Sequence, residues 1–177
     1  MTPLMKSATE SSAKTLPLKV IVAGDGTVGK TSLVRRYCEG KFESSRVMTI
    51  GVDFHTKLVK LPMGMVKLSI WDMAGQERFA SMRAGFYKGS RVAALVFDVT
   101  SPETLQHLET WRAEILKVLP TQKFVVVGNK IDLPRNEGTR KAAAYAAQIG
   151  AFYVETSAAT GEGAQLLFES LAKQAVG

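Results

Sequence analysis

The sequence predicts a doubly wound α/β domain, with a six-stranded, mostly parallel sheet, one antiparallel edge strand and helices on both faces. Two observations predict this fold: short strand-like runs alternate mostly with helical stretches, and a glycine-rich loop joins the first run to the first helix. The strand-like runs are Leu18 to Ala23, Val52 to Leu61, Val66 to Asp72, Val92 to Asp98, Phe124 to Gly128 and Phe152 to Glu155. A chain of 177 residues with 46% hydrophobic residues can form one such domain with a sizeable core.

The second and third runs should form an antiparallel hairpin at one edge of the sheet. Only the turn Pro62-Met63-Gly64 separates them, and the second run alternates apolar with polar residues. The other runs are continuously apolar, which is typical of buried parallel strands. Later helices are indicated by apolar residues at helical spacing, at Leu105, Leu108, Trp111, Ile115 and Leu119 and again at Leu166, Leu167 and Leu171.

The loop after the first run has the sequence GDGTVGKT, at positions 24 to 31, and the helical pattern Ser32 to Glu39 follows it. Glycines here let backbone N–H groups turn inward around an anion, to which the helix offers its positive end. This is the pattern of a P-loop, in which the lysine reaches the β and γ phosphates of a nucleotide and the next hydroxyl binds Mg²⁺. We therefore expect phosphate contacts from Gly24, Asp25, Gly26, Thr27, Val28, Gly29, Lys30, Thr31 and Ser32. A glycine turn that binds nothing is the alternative, and a chance match to four fixed positions at a strand-to-helix junction is rare.

The segment after the fifth run indicates which base is bound. It reads Asn129-Lys130-Ile131-Asp132. A carboxylate at Asp132 can accept hydrogen bonds from N1–H and the 2-amino group of guanine, donors that adenine lacks at those positions. A site of this kind rejects the wrong base by roughly 10⁴-fold or more, because its own polar groups are left unpaired. After the sixth run, Thr156-Ser157-Ala158 can bring a backbone N–H to the guanine oxygen, which is a weak signal by itself.

Together these residues resemble the Ras superfamily of small GTPases, and four further strings resemble its Rab branch. The strings are IGVDF at 50 to 54, KLSIWDMAGQERF at 67 to 79, FYKGS at 86 to 90 and LVFDVT at 95 to 100. The resemblance runs from Leu18 to Ala172. It implies a P-loop NTPase fold with a GTPase domain at residues 18–177, after a flexible tail at 1–17. It also implies a switch that binds GTP or GDP with Mg²⁺ and slowly hydrolyses GTP.

The resemblance assigns roles to individual residues. Phe42 matches the aromatic that packs against guanine, Gly75 the glycine whose N–H meets the γ phosphate, and Gln76 the residue that orients the attacking water. The implied metal ligands are Thr31, Thr49 and, through water, Asp72. The implied catalytic residues are Gln76, Lys30, Thr49 and Gly75, and the implied guanine contacts are Phe42, Asn129, Lys130, Asp132, Ser157 and Ala158.

Phe54, Trp71 and Phe86 fall where Rab proteins carry an aromatic triad that effectors contact. The resemblance places this triad between two switch loops, at residues 40–49 and 75–85. Ordinary core packing is the alternative, since Phe54 and Trp71 stand at alternating strand positions. The resemblance also implies a GTPase-activating protein and an exchange factor as partners, and we expect a monomer.

Three positions depart from the family pattern. Thr27 replaces a more usual glycine or serine, and Met73 stands where most members have threonine; neither change removes a catalytic group. Ala159 stands where the family usually has a lysine, whose aliphatic stem packs on the guanine face. We therefore expect somewhat looser nucleotide binding.

The net charge of +7 is uneven along the chain. Residues 1–90 carry 14 Lys and Arg against 7 Asp and Glu, whereas residues 91–177 carry 9 of each. Basic residues in the first half with no obvious role at the phosphates are Arg35, Arg36, Lys41, Arg46, Arg78, Arg83 and Lys88. An acidic partner or an anionic membrane surface would fit them, and a solvated basic face is the alternative. A nucleic-acid partner would be supported by charge alone, and we expect none.

Cellular location is indicated by three features of the sequence. No uncharged apolar stretch of 18 or more residues and no secretory signal is present, and the one cysteine, Cys38, forms no disulfide within the chain. We expect Cys38 to be buried. We also expect a cytoplasmic protein, and the sequence is compatible with peripheral association with a membrane. The sequence to Gly177 contains no prenylation cysteine, so either it is truncated or the protein does not anchor by prenyl chains.

The main hypothesis from the sequence is a GTP-hydrolysing switch, and two other classes compete with it. A guanine-nucleotide-binding scaffold without hydrolysis would not need Gly26, Thr49 or Gln76. A metabolic P-loop kinase has no use for the Asn-Lys-x-Asp segment. His55 and His107 have no carboxylate or histidine at metal-ligand spacing, so we assign neither a ligand role.

Overall fold

The computed structural model describes residues 16–43 and 49–177. The strands are β1 (Leu18–Ala23), β2 (Val52–Leu61), β3 (Gly64–Met73), β4 (Val92–Asp98), β5 (Lys123–Asn129) and β6 (Phe152–Glu155). The helices are α1 (Lys30–Glu39), α2 (Ala80–Tyr87), α3 (Pro102–Gln106), α4 (Leu108–Val118), α5 (Ala142–Gln148) and α6 (Ala164–Val176). Short 3₁₀ turns lie at Glu77–Phe79 and Glu137–Thr139.

The sheet has the strand order β2-β3-β1-β4-β5-β6. β2 pairs antiparallel with β3, and the remaining neighbours are parallel. The predicted doubly wound, six-stranded sheet with an antiparallel edge strand is therefore confirmed. The order reverses between β1 and β4, which puts the loops at the carboxyl ends of these strands on either side of a crevice.

Helices cover both faces of the sheet, as predicted. α1 and α6 pack on one face with Val20 and Val22 of β1, and the second core, with Ile21 and Ala23, takes in residues of α2, α3, α4 and α5. The alternation of β1 residues between the two cores follows from the two-residue period of a strand. The apolar positions from Leu105 to Ile115 fall on two consecutive helices, α3 and α4, and are buried, whereas Leu119 lies just past the end of α4 and is partly buried.

Two apolar positions face outward rather than inward. Leu166 is 57% exposed, because α6 turns Leu167 and Leu171 into the core and a neighbouring position points about 100° away. On β2, Phe54 and Leu58 are exposed, whereas Val59 and Leu61 on the opposite face of the strand are buried with the α6 side of the core. The alternation of β2 thus predicts the hairpin correctly, but the apolar row at Phe54 and Leu58 faces solvent.

Some predicted features lie outside the described residues. These are most of the tail at 1–17, the middle of the first switch loop and Arg46. Within the described residues, no helix combines the length and the apolar character that crossing a membrane would require.

Candidate functional site

The phosphate loop lies between β1 and α1, and two of its glycines are required by geometry. Gly24 has φ +146° and Gly29 has φ +89°, values that L side chains rarely adopt. A Cβ at Gly24 would lie 2.2 Å from the Val96 carbonyl oxygen, so this residue packs directly on β4. Gly26 differs: its nearest neighbour, Gln76 Cγ, would be 3.8 Å from a Cβ. Backbone conformation and close neighbours therefore explain why positions 24 and 29 are glycine. They do not explain the glycine at position 26.

Lys30 begins α1 and is buried beneath the loop. Its Nζ donates to the carbonyl oxygens of Gly24 and Asp25, each over 2.7 Å. Burial lowers the pKa of the Lys30 ammonium to about 8, while the nearby Asp72 and Asp25 carboxylates act in the opposite direction. A buried ammonium at the start of a helix is suited to binding an anion at this loop.

Two hydroxyls and one carboxylate meet at the start of α1. Thr31 Oγ1 lies 2.6 Å from Thr49 Oγ1 and donates to Asp72 Oδ2 over 2.5 Å, and Thr49 Oγ1 lies 3.4 Å from the same oxygen. Asp72 Oδ1 is buried and has no hydrogen-bond partner among the described residues. Burial raises the pKa of the Asp72 carboxyl, although Lys30 and the two hydroxyls lower it.

The donor set of Thr31, Thr49 and Asp72 fits a small, hard cation. Mg²⁺ prefers oxygen ligands and commonly binds through one carboxylate, hydroxyls and waters. Within residues 16–43 and 49–177, no group of three or more His, Cys, Asp or Glu side chains could hold a metal, which excludes a carboxylate-rich or histidine-rich site there. The unpartnered Asp72 oxygen is a place for a metal-bound water to donate.

One cleft brings the predicted phosphate and catalytic residues together. It is lined by Gly26, Gly29, Lys30, Thr31, Ser32, Thr49, Met73, Gly75 and Gln76. A Cβ on Gly75 would lie 2.3 Å from the Gly26 backbone nitrogen, so the lack of a side chain at Gly75 lets this segment touch the phosphate loop. Met73 is buried and lines the cleft without a polar group, so the departure at this position changes shape rather than chemistry.

The base-recognition segment is tied to the phosphate loop. Asn129 Nδ2 donates to the Val28 carbonyl oxygen over 2.9 Å, and its Oδ1 accepts from Thr156 Oγ1 over 2.9 Å. Lys130 has φ 69°, and its Nζ donates to the Thr27 carbonyl oxygen over 2.8 Å. Asn129 and Lys130 therefore both bond to backbone carbonyls of the phosphate loop.

Asp98 is a site residue that the sequence analysis missed. Its Oδ2 pairs with Lys130 Nζ over 2.9 Å, and the carboxylate is nearly buried. Its place at the carboxyl end of β4 was a usable signal, because that edge of the sheet carries the other site residues.

Asp132 and Ser157 lie in contact at the outer end of the site. Ser157 Oγ donates to Asp132 Oδ1 over 2.8 Å. The sequence predicts that Thr156-Ser157-Ala158 brings one backbone N–H to guanine, and the N–H groups of Thr156 and Ser157 bond instead to the Gly128 and Glu162 carbonyl oxygens. The N–H of Ala158 is the remaining candidate. Phe42 is 41% exposed, in the segment that follows α1.

Asp25 of the phosphate loop contacts Trp111 of α4 and His107, the residue between α3 and α4, and the sequence did not predict either contact. Trp111 Nε1 donates to Asp25 Oδ1 over 2.9 Å, and His107 Nδ1 lies 2.6 Å from Oδ2. His107 is thus a partner of a loop carboxylate. No spacing in the sequence predicts this contact, because 82 residues separate the two side chains.

Phe54, Trp71 and Phe86 form one aromatic cluster. The Phe54 and Trp71 rings meet edge to face with centroids 4.5 Å apart, and Trp71 and Phe86 are 5.9 Å apart. Lys19 Nζ lies 3.4 Å from the Trp71 ring centroid. Because Phe54 is 53% exposed, ordinary core packing does not account for it.

The predicted basic surface needs two corrections. Arg83 is only 4% exposed, so it belongs to the interior and cannot meet a partner directly. Arg36 is half-buried and donates to the carbonyl oxygens of Ala159 and Thr160 over 3.5 and 3.1 Å. Both arginines hold chain segments in place. A count of charged residues cannot distinguish such bonded arginines from arginines that are free on the surface.

The chain is similar to known proteins along most of its length. The Ras family model matches residues 19–176. The Ras-related protein Rab-21 of Bos taurus is 38% identical over 169 residues, which cover 94% of this chain and 76% of that protein. The Ras-related protein Rab7 of Drosophila melanogaster is 42% identical over 166 residues, covering 90% and 80%, and Rab-21 of Mus musculus is 41% identical over 161 residues, covering 89% and 72%.

The fold, the phosphate loop and these matches define a guanine-nucleotide-binding enzyme of the P-loop class. The chain belongs to the Ras family, and within it the protein is a Rab-like small GTPase that hydrolyses GTP.

Proposed function

We propose that this GTPase is a Mg²⁺-dependent switch whose GTP-bound form binds effector proteins in membrane traffic or signalling, and whose hydrolysis ends that interaction. The observation that carries the proposal is the meeting of Thr31, Thr49 and Asp72 beside the buried Lys30. Thr49 ends the first switch loop, so its contact with the phosphate-loop residue Thr31 links loop position to occupancy of the site.

The phosphate end of the proposed site binds charge through Lys30 and the backbone of residues 24–32. Thr31, Thr49 and, through water, Asp72 would hold a Mg²⁺ ion. The ion would supply positive charge to neutralise the negative charge that develops between the β and γ phosphates. The N–H of Gly75 would donate to the γ phosphate. Gln76, which lines the same cleft, would orient the attacking water in line with the leaving oxygen.

At the base end, Asp132 would accept from N1–H and the 2-amino group of guanine, and the Ala158 N–H would donate to the guanine oxygen. Asn129 and Lys130 would hold the two ends of the site together, and Phe42 would pack against the base. Ser157 would keep the Asp132 carboxylate oriented through their hydrogen bond.

Hydrolysis by the protein alone should be slow, on the order of 10⁻⁴ to 10⁻³ s⁻¹, as for Ras itself. Arg83 is the arginine whose contacts bring it beside Gln76, and its guanidinium is already bonded to Glu114, Ala74 and Gln76. An arginine from an activating protein would then raise the rate by roughly 10³ to 10⁵. An exchange factor would be needed for the opposite transition.

The effector surface we propose is the aromatic cluster of Phe54, Trp71 and Phe86 with the two switch loops. Exposed cations nearby, including Lys88, favour an acidic partner. Peripheral membrane association would place such a partner at a membrane surface, as expected of a Rab-like protein.

Two measurements test the switch and its metal. Excess EDTA should speed release of a fluorescent GDP analogue at least tenfold relative to millimolar Mg²⁺, and Asp72→Asn should reduce that difference. Gln76→Leu should slow single-turnover GTP hydrolysis at least tenfold without weakening GDP binding, whereas Gln148→Leu, at the exposed end of α5, should leave both unchanged. Equal GDP release with and without Mg²⁺, or unchanged hydrolysis in Gln76→Leu, would contradict the proposal.

A further inference from the structure

Arg83 is a buried arginine on α2 whose guanidinium bonds to both sides of Gly75. Its Nη1 donates to the carbonyl oxygens of Ala74 and Gln76, over 3.1 and 2.8 Å. These two carbonyls flank the glycine proposed to meet the γ phosphate. The contact therefore fixes the backbone from which the Gln76 side chain projects.

The same guanidinium is anchored on α4. Its Nε and Nη2 donate to the two carboxylate oxygens of Glu114, over 2.8 and 3.0 Å, in a bidentate pair. Tyr87 donates its hydroxyl to Glu114 Oε1 over 3.0 Å, and the Arg83 guanidinium lies 4.3 Å from the Trp111 ring centroid. These contacts orient the guanidinium in one plane, so its position is set by α4.

Helix α4 also holds the phosphate loop. Trp111 precedes Glu114 by one turn, and its indole N–H donates to Asp25, as described above. Two side chains one turn apart on α4 are thus linked to the two segments beside the nucleotide cleft, Trp111 directly through Asp25 and Glu114 through Arg83. Because a helix is stiff over one turn, the spacing between those segments is fixed by α4.

The energetics favour a positioning role over a purely stabilising one. A largely buried ion pair contributes little net stability, because the cost of removing both charges from water offsets their attraction. Catalysis is much more sensitive to position, and a shift of about 1 Å can cost on the order of 100-fold in rate. Arg83 is the donor that links α4 to the backbone of Gln76 in this cluster.

We propose that Arg83, clamped by Glu114, is a positioning residue for GTP hydrolysis. It holds the Ala74 to Gln76 backbone at a fixed distance from the phosphate loop, so that Gln76 can orient water. This inference rests on the proposed role of Gln76. Arg83 acts through Gln76 and makes no contact with the nucleotide itself.

The first test compares single substitutions by single-turnover hydrolysis and GDP affinity. Arg83→Met should slow hydrolysis about tenfold or more while GDP affinity changes less than threefold, and Arg83→Lys should recover part of the rate, because one ammonium can reach one carbonyl. Arg112→Met is the matched control, since Arg112 lies on α4 in an exposed pair with Glu109. It should hydrolyse GTP within twofold of the parent. Equal rates for Arg83→Met and Arg112→Met would overturn the inference.

A double-substitution cycle separates positioning from general destabilisation. If Arg83 acts through Gln76, adding Arg83→Met to Gln76→Leu should change the residual rate less than twofold. The same fold loss in both backgrounds would show that Arg83 acts independently of Gln76 and would overturn the inference. If Gln76→Leu alone hydrolyses GTP at the parent rate, the proposed function of Gln76 fails and the inference fails with it.

A milder variant, Glu114→Gln, tests the positioning role of Arg83 if Arg83→Met does not fold. Glu114→Gln retains the shape of the clamp but loses its charge, and folding is checked by circular dichroism. Glu109→Gln on the same helix is its control. Hydrolysis should be at least threefold slower in Glu114→Gln than in Glu109→Gln, and equal rates would overturn the inference.

Discussion

Gly29 lies directly against the Asn129 side chain: a Cβ on Gly29 would be 2.7 Å from Asn129 Nδ2. The same nitrogen donates to the carbonyl oxygen of Val28. The residue that ends β5 is therefore in direct contact with the phosphate loop that follows β1. The segments proposed to bind phosphate and base are therefore in direct contact, and we expect a change in the loop to alter base binding.

Gly29→Ala should weaken GDP binding at least tenfold, because the methyl group would displace Asn129 and strain a left-handed backbone. Gly89→Ala is a matched control, since Gly89 has φ +82° but nothing within 4 Å of a Cβ. Both variants should lose about 1 kcal/mol of unfolding free energy from backbone strain. Equal GDP affinity in the two variants, measured by fluorescence titration, would show that the contact with Asn129 is not needed.

Asp132→Asn should shift base preference from guanine toward xanthine, whose 2-oxo group accepts where the guanine amino group donates. The parent should bind GDP roughly a thousandfold tighter than ADP, since two charge-assisted hydrogen bonds at about 1.5 to 3 kcal/mol each together contribute about 3 to 6 kcal/mol. Competition titrations with GDP, XDP and ADP measure this directly. Glu137→Gln, an exposed carboxylate paired with Arg140, should leave the order unchanged. Equal competition by ADP and GDP in the parent would remove the guanine assignment.

Phe54→Ala should weaken a GTP-dependent partner by about 2 kcal/mol, with little loss of stability, because the ring is more than half exposed. Trp71→Ala should weaken the same partner but also destabilise the domain, since the indole packs on both phenylalanines and donates to Ser69. Thermal unfolding and binding of GTP-analogue-loaded protein separate the two effects. Leu166→Ala, at an exposed apolar position on α6, is the control. If Phe54→Ala binds the partner with the same affinity as the parent, the effector surface lies elsewhere.

Cys38 should be nearly inert toward alkylation in the folded protein. Cys38 is partly buried rather than fully buried as predicted, and this burial still raises the pKa of its thiol to about 11, a shift that Lys57 opposes only in part. At pH 8 the thiolate fraction is then about a hundredfold below that of an ordinary cysteine, and the folded protein should react at least roughly tenfold more slowly than the unfolded chain. Iodoacetamide labelling followed by mass spectrometry, with and without guanidinium, measures this ratio.

The raised pKa of the Cys38 thiol also predicts the direction in which the unfolding free energy changes with pH. A thiol whose folded pKa is raised favours folding below the pKa of the unfolded cysteine, and that contribution is lost as pH rises from about 9 toward 11. Cys38→Ala should remove this part of the pH dependence. An unchanged slope of unfolding free energy in that window would contradict the assignment.

The sequence predicts most of this fold because its signals are local. β1, β2, β4 and β6 begin and end where their apolar runs do, since each run lies between turn residues or a loop. What the sequence could not show is which side of β2 a helix would cover. That depends on the path of α6, more than 100 residues later, so Phe54 and Leu58 gave no sign of facing solvent.

The candidate site also contains some features that local sequence predicts and others that it does not. The loop glycines and Asn129-Lys130-Ile131-Asp132 are recognisable because neighbours in sequence are neighbours in the site. The contacts of Asp25 with Trp111, of Lys130 with Asp98 and of Arg83 with Glu114 join residues 31 to 86 positions apart. Net charge was misleading for Arg83, because composition counts a buried, paired arginine like a free one.

The chain contains two tryptophans, and the fold has placed them in different parts of the molecule. Trp111 is almost fully buried and bonds to a carboxylate of the phosphate loop, whereas Trp71 stands in the half-exposed aromatic cluster. Each can be replaced by phenylalanine in turn, leaving a single tryptophan whose emission can be excited selectively, apart from that of the four tyrosines. Emission from Trp111 would then follow nucleotide exchange and emission from Trp71 would follow partner docking, so the protein carries separate optical reporters for its input and its output.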